Sequence, residues 1–358
     1  MENSLVEEKN KRAKPPRKAY LYFPKGKDII EINQDEIRHT IRKVFDLHED
    51  NYTEFEKEQL LVFRHEWDIF SKTNNISLPS EWKTCDILRF LQATCYNVDK
   101  SCNLIRNYVV WKNSFFPMKV NDKTIELINS GFIYGHGRDS RYRPIFVIRA
   151  ETYMTLRNNY RYEEWLTAVI YFMEYIVNNM LIPGQIEDWT ILADMKNVSI
   201  MSIPSELMNM FKVLQSNYRC RLNKIYILHM SAVLNFLWNI VKNWINPATF
   251  GKIKFVKNYD ELKETINPEQ MEIKYGGLAE NKINNYFPPT MPSDNYILPS
   301  EKEEDIHITE DEYKTLVSEG KLTTISPFYK TDTKSVYSVA NTLNQPNFTV
   351  VRNDCINL

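Results

Sequence analysis

The sequence lacks a cysteine framework. Its five cysteines, Cys85, Cys95, Cys102, Cys220 and Cys355, are odd in number and form no C-x-x-C pair, which argues against a disulfide scaffold and for a reducing compartment. Long hydrophobic runs are missing too. The most apolar stretch, Trp165 to Met173, ends at Glu174 before it could span a bilayer, and no apolar leader follows the first residues. Charge of one sign is also absent: 45 Lys and Arg stand against 46 Asp and Glu, so the whole chain is no polycation for nucleic acid, and no recognition module is evident. Catalytic signatures fail in turn. There is no P-loop, G-x-S-x-G elbow or H-E-x-x-H, and the six histidines, His39, His48, His65, His136, His229 and His307, are widely spaced. Gly135-His136-Gly137 is too short for a dinucleotide fingerprint and precedes a strand. Neither an enzyme nor a metal or other cofactor is expected.

What is present describes a soluble globular protein of 358 residues, 43% hydrophobic and 25% charged, long enough for about two domains. Its near-neutral total hides a polarity. Residues 1–27 carry eight Lys or Arg against three Glu, whereas residues 291–358 carry eleven acids against six bases. Solvated ends are the plain reading. The basic head (1–34) is expected to be a mobile arm that attracts anionic membrane, at about 1 kcal/mol per Lys or Arg. Tyr20, Tyr22 and Phe23 are the only support for base stacking. The acidic tail (291–358) is expected to be loosely attached and open to a protein partner.

Helical spacing marks residues 35–47, 52–70, 86–91 and 98–115 as a small lobe within 35–120, with Leu60, Leu61, Phe63, Trp67 and Phe70 on one face and Asp99 as a cap. Past Val120 short β-rich runs alternate with helices, which predicts an α/β domain over 121–290. Strands are expected at 132–135, 144–150, 189–195, 224–230 and 253–258. Helices are expected at 162–181, 204–216 and 234–245, with one more, short, at 309–319. Strand alternation places Trp189, Ile191 and Ala193 on one face of their strand, and within their own strands groups Ile225, Ile227 and His229, and Phe146 with Ile148. Strands apolar on both faces require cover on both sides. The helix 234–245 presents Leu237, Ile240, Val241, Trp244 and Ile245 on a broad stripe with Trp238 beside it. By itself that is an ordinary core-packing helix.

The order of segments resembles the CRAL-TRIO family of cytosolic lipid-binding and lipid-transfer proteins over residues 45–290. Asp86 to Ala93, Tyr96 to Lys100 and Trp111-Lys112 are similar to its helical lobe. Asp139 with Arg143-Pro144 is similar to its charged turn, with Tyr142 where Gly is usual. Asp194-Met195-Lys196-Asn197 resembles its Asp-x-Lys-Gly step. Asn246 to Thr249, Lys252-Ile253 and Lys274-Tyr275-Gly276-Gly277 close the pattern.

The resemblance implies an α/β fold in which a small N-terminal helical lobe precedes a mixed, mostly parallel sheet, with helices enclosing a hydrophobic lipid pocket under a mobile gate helix. The implied pocket wall is Phe146, Ile148, Trp189, Ile191, Ala193, Ile225, Ile227, His229, Ile253 and Phe255, and 234–245 becomes the gate. Of the family's phosphoinositide headgroup set, Thr249 and Lys252 match, while Thr94 and Cys220 stand for its Arg and Glu. Gly135, Phe146, Trp189 and Ile191 replace hydroxyl-bearing residues that serve phosphatidylcholine. The implied ligand is a hydrophobic lipid, with phosphatidylinositol weakened and phosphatidylcholine disfavoured. A cytoplasmic carrier that touches membranes transiently is the expectation. A protein-interaction module with a structural or empty pocket is the alternative.

Overall fold

The computed structural model describes residues 14–31, 41–198, 204–231, 238 and 247–322. The helical lobe comprises α2 (Glu54–Asn74), α3 (Thr84–Ala93) and α4 (Val98–Phe115). A capping box opens α2: Thr53 accepts from the Glu56 backbone, and the Glu56 carboxylate returns to the Thr53 backbone. Leu60, Phe63 and Trp67 then meet Leu88, Leu91, Ile105 and Val109 in the lobe's core. Leu61, expected on the same face, points to solvent. Asn97, not Asp99, caps α4 by accepting from the Lys100 backbone at 2.9 Å.

No helix forms over the described part of 35–47. Ile41–Arg42 is instead a short strand paired with Ile30–Glu31, because tertiary partners hold it extended. The Gln92 amide accepts from Arg42 N and donates to Arg42 O, and the Arg42 guanidinium grips buried Glu56 through two bonds of 2.7 and 2.6 Å. Arg89 on α3 carries the lobe onto the rest of the molecule. It lies 2.7 Å from Glu187, both buried, with its guanidinium over the Phe45 ring.

The second layer is a five-stranded sheet, in the order β1 (Ile133–Arg138), β2 (Pro144–Arg149), β3 (Trp189–Asp194), β4 (Leu222–Leu228), β5 (Ile253–Phe255). Only the β1 and β2 pair is antiparallel. α5 (Asp122–Asn129) leads into β1, and between strands run α6 (Ala150–Leu156), α7 (Tyr162–Asn179) and α8 (Ser205–Asn217). Of these, α5 and α6 were not marked by sequence periodicity, being too short to show it. One sheet face packs Tyr134, Ile145, Val147, Leu192, Tyr226 and Leu228 against the turns that carry Leu262, Ile266, Met271 and Tyr275. The other packs Phe146, Trp189 and Ile191 against α7 through Phe172, Met173 and Ile176.

The two chain ends differ from expectation where they are described. Residues 14–31 are no free arm: α1 (Arg17–Leu21) buries Ala19 and Tyr20, and Tyr22 is buried after it, so neither tyrosine is open to a base. Residues 291–322 pack as well, with Tyr296, Ile306 and Tyr313 buried, and α9 (Glu310–Ser318) starts at a Thr309 and Glu312 capping box. The ends hold each other. Phe23 N donates to Ile306 O at 3.1 Å and Ile308 N to Leu21 O at 2.9 Å, while Arg17 pairs with Glu310 and Lys18 with Glu303. The opposite charges of head and tail therefore meet within the molecule.

This clasp explains Tyr142 at a glycine position. In the turn from β1 to β2, Asp139 accepts from the backbones of Arg141 and Arg143, which drives Tyr142 to φ 59°. A non-glycine residue is strained there. The fully buried Tyr142 ring packs on Tyr22, Tyr296 and His307, contacts that only the two ends supply.

Candidate functional site

Register places the expected pocket residues in two rows across the sheet. Phe146, Ile191, Ile225 and Ile253 are successive partners in one row, and Ile148, Ala193, Ile227 and Phe255 in the next. The rows are covered unevenly. Phe146 and Ile191 are buried beneath α7, whereas Ile225, Ile253 and all four members of the second row are half-buried. Apolar surface thus stays open toward β4 and β5 and toward the carboxyl ends of the strands.

Aromatic rings fill the opposite, amino end. Trp189 lies 5.6 Å from Phe146 and 6.2 Å from Tyr218, and Phe146 lies 5.4 Å from Phe172. Two positions read as losses of a hydroxyl, Phe146 and Trp189, are therefore a packed plug. Gly135 is not a pocket residue: a Cβ there would come within 2.6 Å of Pro289, so the segment that crosses β1 requires glycine.

The headgroup residues have other work. Lys252 donates its ammonium to the Leu222 carbonyl, and the Lys252 backbone N donates to Thr249 O at 3.0 Å. Nearby, Arg143 reaches Asp188 at 2.7 Å and Asp139 at 3.6 Å. Burial raises the pKa of Asp188 against the pull of Arg143 and Lys252. Burial also opposes the charge on Arg143, but Asp188 and Asp139 outweigh it and the guanidinium pKa rises. At the positions of the missing pair, Thr94 bonds Ser101 at 2.6 Å and Cys220 accepts from Gln92 at 3.4 Å, both contacts that hold the lobe's own structure and its junction.

His229 departs from expectation. Strand β4 ends at Leu228 and His229 adopts φ 56°, so alternation stops and the ring does not share a face with Ile225 and Ile227. It bridges Asp194, 2.7 Å from Nδ1, and the Tyr259 hydroxyl, 2.6 Å from Nε2. Tyr275 donates to the second Asp194 oxygen at 2.9 Å. Burial first, and then the Asp194 charge, push both tyrosine pKa values up, so both phenols remain donors. Asp194 therefore faces Nδ1 and the Tyr259 hydroxyl faces Nε2, and the ring is held at both nitrogens.

Beside this relay a cleft of about 610 Å³ opens, lined by His229, Met230, Phe255, Val256, Lys257, Asn258 and Tyr259. Phe255 belongs to the second apolar row, so the cleft joins that row at the carboxyl edge. Lys257 to Tyr259 were missed from sequence because they follow a strand only three residues long; the Lys-Asn-Tyr run after an apolar strand was the available signal. Of the expected gate, Leu237, Ile240, Val241, Trp244 and Ile245 lie outside the described residues. Trp238 stacks on Phe250 at 5.9 Å and meets Phe255 edge-on at 4.9 Å, against the open side of the rows.

Among the described residues no helix is long and apolar enough to cross a membrane, and no group of His, Cys, Asp or Glu could hold a metal. The family described as CRAL/TRIO domain matches residues 128–277. A CRAL-TRIO domain-containing protein of Schizosaccharomyces pombe is 25% identical over 202 residues, 53% of this chain and 45% of its own. The phosphatidylinositol/phosphatidylcholine transfer protein SFH12 of Arabidopsis thaliana is 23% identical over 215 residues, 53% of this chain and 39% of its own. Each match thus spans less than half of the relative. The crystal structure of Sfh5 shares the fold, with a TM-score of 0.50 at 12% identity over 75% of this chain and 97% of that one.

Proposed function

From a chain whose residues 128–277 belong to the CRAL/TRIO domain family, we propose a lipid-binding protein that withdraws a hydrophobic lipid from a membrane and carries or presents it. One observation carries the reading: two register-matched rows of apolar side chains lie on a single sheet face, buried under α7 at one side and only half-covered at the other. An exposed CH₂ is unfavourable by about 0.8 kcal/mol, so a half-covered apolar face calls for a mobile cover, a ligand, or both. The segment 234–245 is the proposed gate, and Trp238, already against Phe255, is its contact with the open side. When the gate opens, its tryptophans suit the boundary between headgroups and acyl chains.

The ligand is hydrophobic rather than rich in headgroup contacts. Lys252 is engaged with a backbone carbonyl and the aromatic plug fills the amino end, which disfavours phosphatidylinositol and phosphatidylcholine seated there. The work of such a protein falls at cytoplasmic membrane surfaces. The test is native mass spectrometry of the purified chain, followed by transfer between donor and acceptor vesicles. A bound lipid that exchanges supports the proposal; an empty protein that fails to load from vesicles refutes it. The plug itself favours a second reading, a module with a structural pocket, and that reading wins if a bound lipid never exchanges.

A further inference from the structure

The carboxyl-edge cleft has a polarity of its own. One wall is apolar, formed by Phe255, Val256 and Met230, and continues through Phe255 into the row of Ile227, Ala193 and Ile148. Three inter-strand steps of about 4.8 Å make that row roughly 14 Å long. At the rim stands Lys257, exposed, the one Lys, Arg, Asp or Glu in the lining among the described residues. Its backbone N donates to Glu261, but Glu261 and Glu264 are paired with Lys254, and Asp260 with Lys263. No carboxylate among the described residues pairs with the Lys257 ammonium. The other ring on the rim is already engaged, because His229 meets Asp194 at one nitrogen and Tyr259 at the other.

We propose that this cleft seats the head of a single-chain anionic amphiphile, a long-chain carboxylate, with its charge at Lys257 and its chain along Phe255 and the second apolar row. The inference rests on the lipid-binding reading above and specifies the ligand and its direction. The polar end lies at the carboxyl edge of the sheet, opposite the Thr249 and Lys252 end. A cleft of about 610 Å³ lies within the range of small-ligand sites. A lone ammonium beside an apolar wall matches one charge on one chain, and a carboxylate gains a charge-assisted hydrogen bond there.

The experiment measures binding of sodium oleate and of uncharged oleyl alcohol by the full chain, through quenching of tryptophan fluorescence and native mass spectrometry. The variants are Lys257→Ala, Lys257→Glu and, as a control at the opposite end, Lys252→Ala. Wild type is expected to prefer oleate. Lys257→Ala should weaken oleate about tenfold and Lys257→Glu further, with oleyl alcohol and the thermal midpoint unchanged, and Lys252→Ala should leave oleate binding intact. Equal losses for both ligands, or no loss in either Lys257 variant, overturn the inference. If wild type ignores oleate yet holds a phospholipid taken from vesicles, the head position is wrong while the lipid-binding reading stands. If it holds no lipid of any kind, both fall.

Discussion

His136 makes the stability of this protein depend on pH in a way that one substitution exposes. The residue sits on β1, 7% exposed, with neither ring nitrogen bonded. Burial foremost, then Lys282 and Lys274, outweighs Glu272 and lowers its pKa from 6.5 to about 4. The native state therefore holds a neutral imidazole, whereas the unfolded chain takes up a proton as pH falls below 6.5. The stabilisation is complete above that value and is lost progressively as pH falls toward 4. A shift of this size, at about 1.4 kcal/mol per unit, removes about 2–3 kcal/mol between pH 7.5 and pH 4.5. Carboxylates titrate over the same range, so the informative quantity is a difference. His136→Leu keeps an apolar group of similar size and deletes the titration. Urea unfolding of both proteins at the two pH values, at constant ionic strength, should show wild type losing about 2–3 kcal/mol more than the variant. Parallel losses would refute the reasoning and mean that His136 finds a partner or water in solution.

Three further substitutions test the architecture. Arg89→Met leaves Glu187 buried without its ion-pair partner and should destabilise by about 3–5 kcal/mol, with little recovered when Glu187→Leu is added, because the Glu187 carboxylate also accepts from Phe45 N and Gly184 N; chemical unfolding of the two variants decides this. Arg17→Ala should be mild, because its partner Glu310 is about half exposed like itself and water and salt screen such pairs; a double-mutant cycle that grows at high salt would contradict the clasp. Tyr142→Gly relieves a left-handed backbone but empties a fully buried aromatic site. The cavity should dominate, at about 3–5 kcal/mol, seen as a lower thermal midpoint; a more stable variant would show that strain is the larger effect.

Much of this protein was legible from residues close in sequence. Apolar periodicity marked α2, α4, α7 and all five strands of the sheet, and alternation assigned six of the eight residues that form the two rows, because strand parity follows from backbone geometry. The short helix expected at 309–319 is α9, whose capping box the structure supplies through Thr309 and Glu312. Local pattern failed where a distant partner decides conformation. Residues 41–42 are extended because Gln92 clamps their backbone. His229 leaves its strand in a left-handed turn toward Asp194 and Tyr259, and the basic head folds because an acidic segment some three hundred residues away receives it. The family resemblance implied a headgroup role for Lys252, yet its ammonium goes to the Leu222 carbonyl. Periodicity is a property of one segment and survives in a string of letters. The partner of a charge, the filling of a cavity and the open end of an apolar row depend on which segments share space, and that was decided only by the tertiary structure.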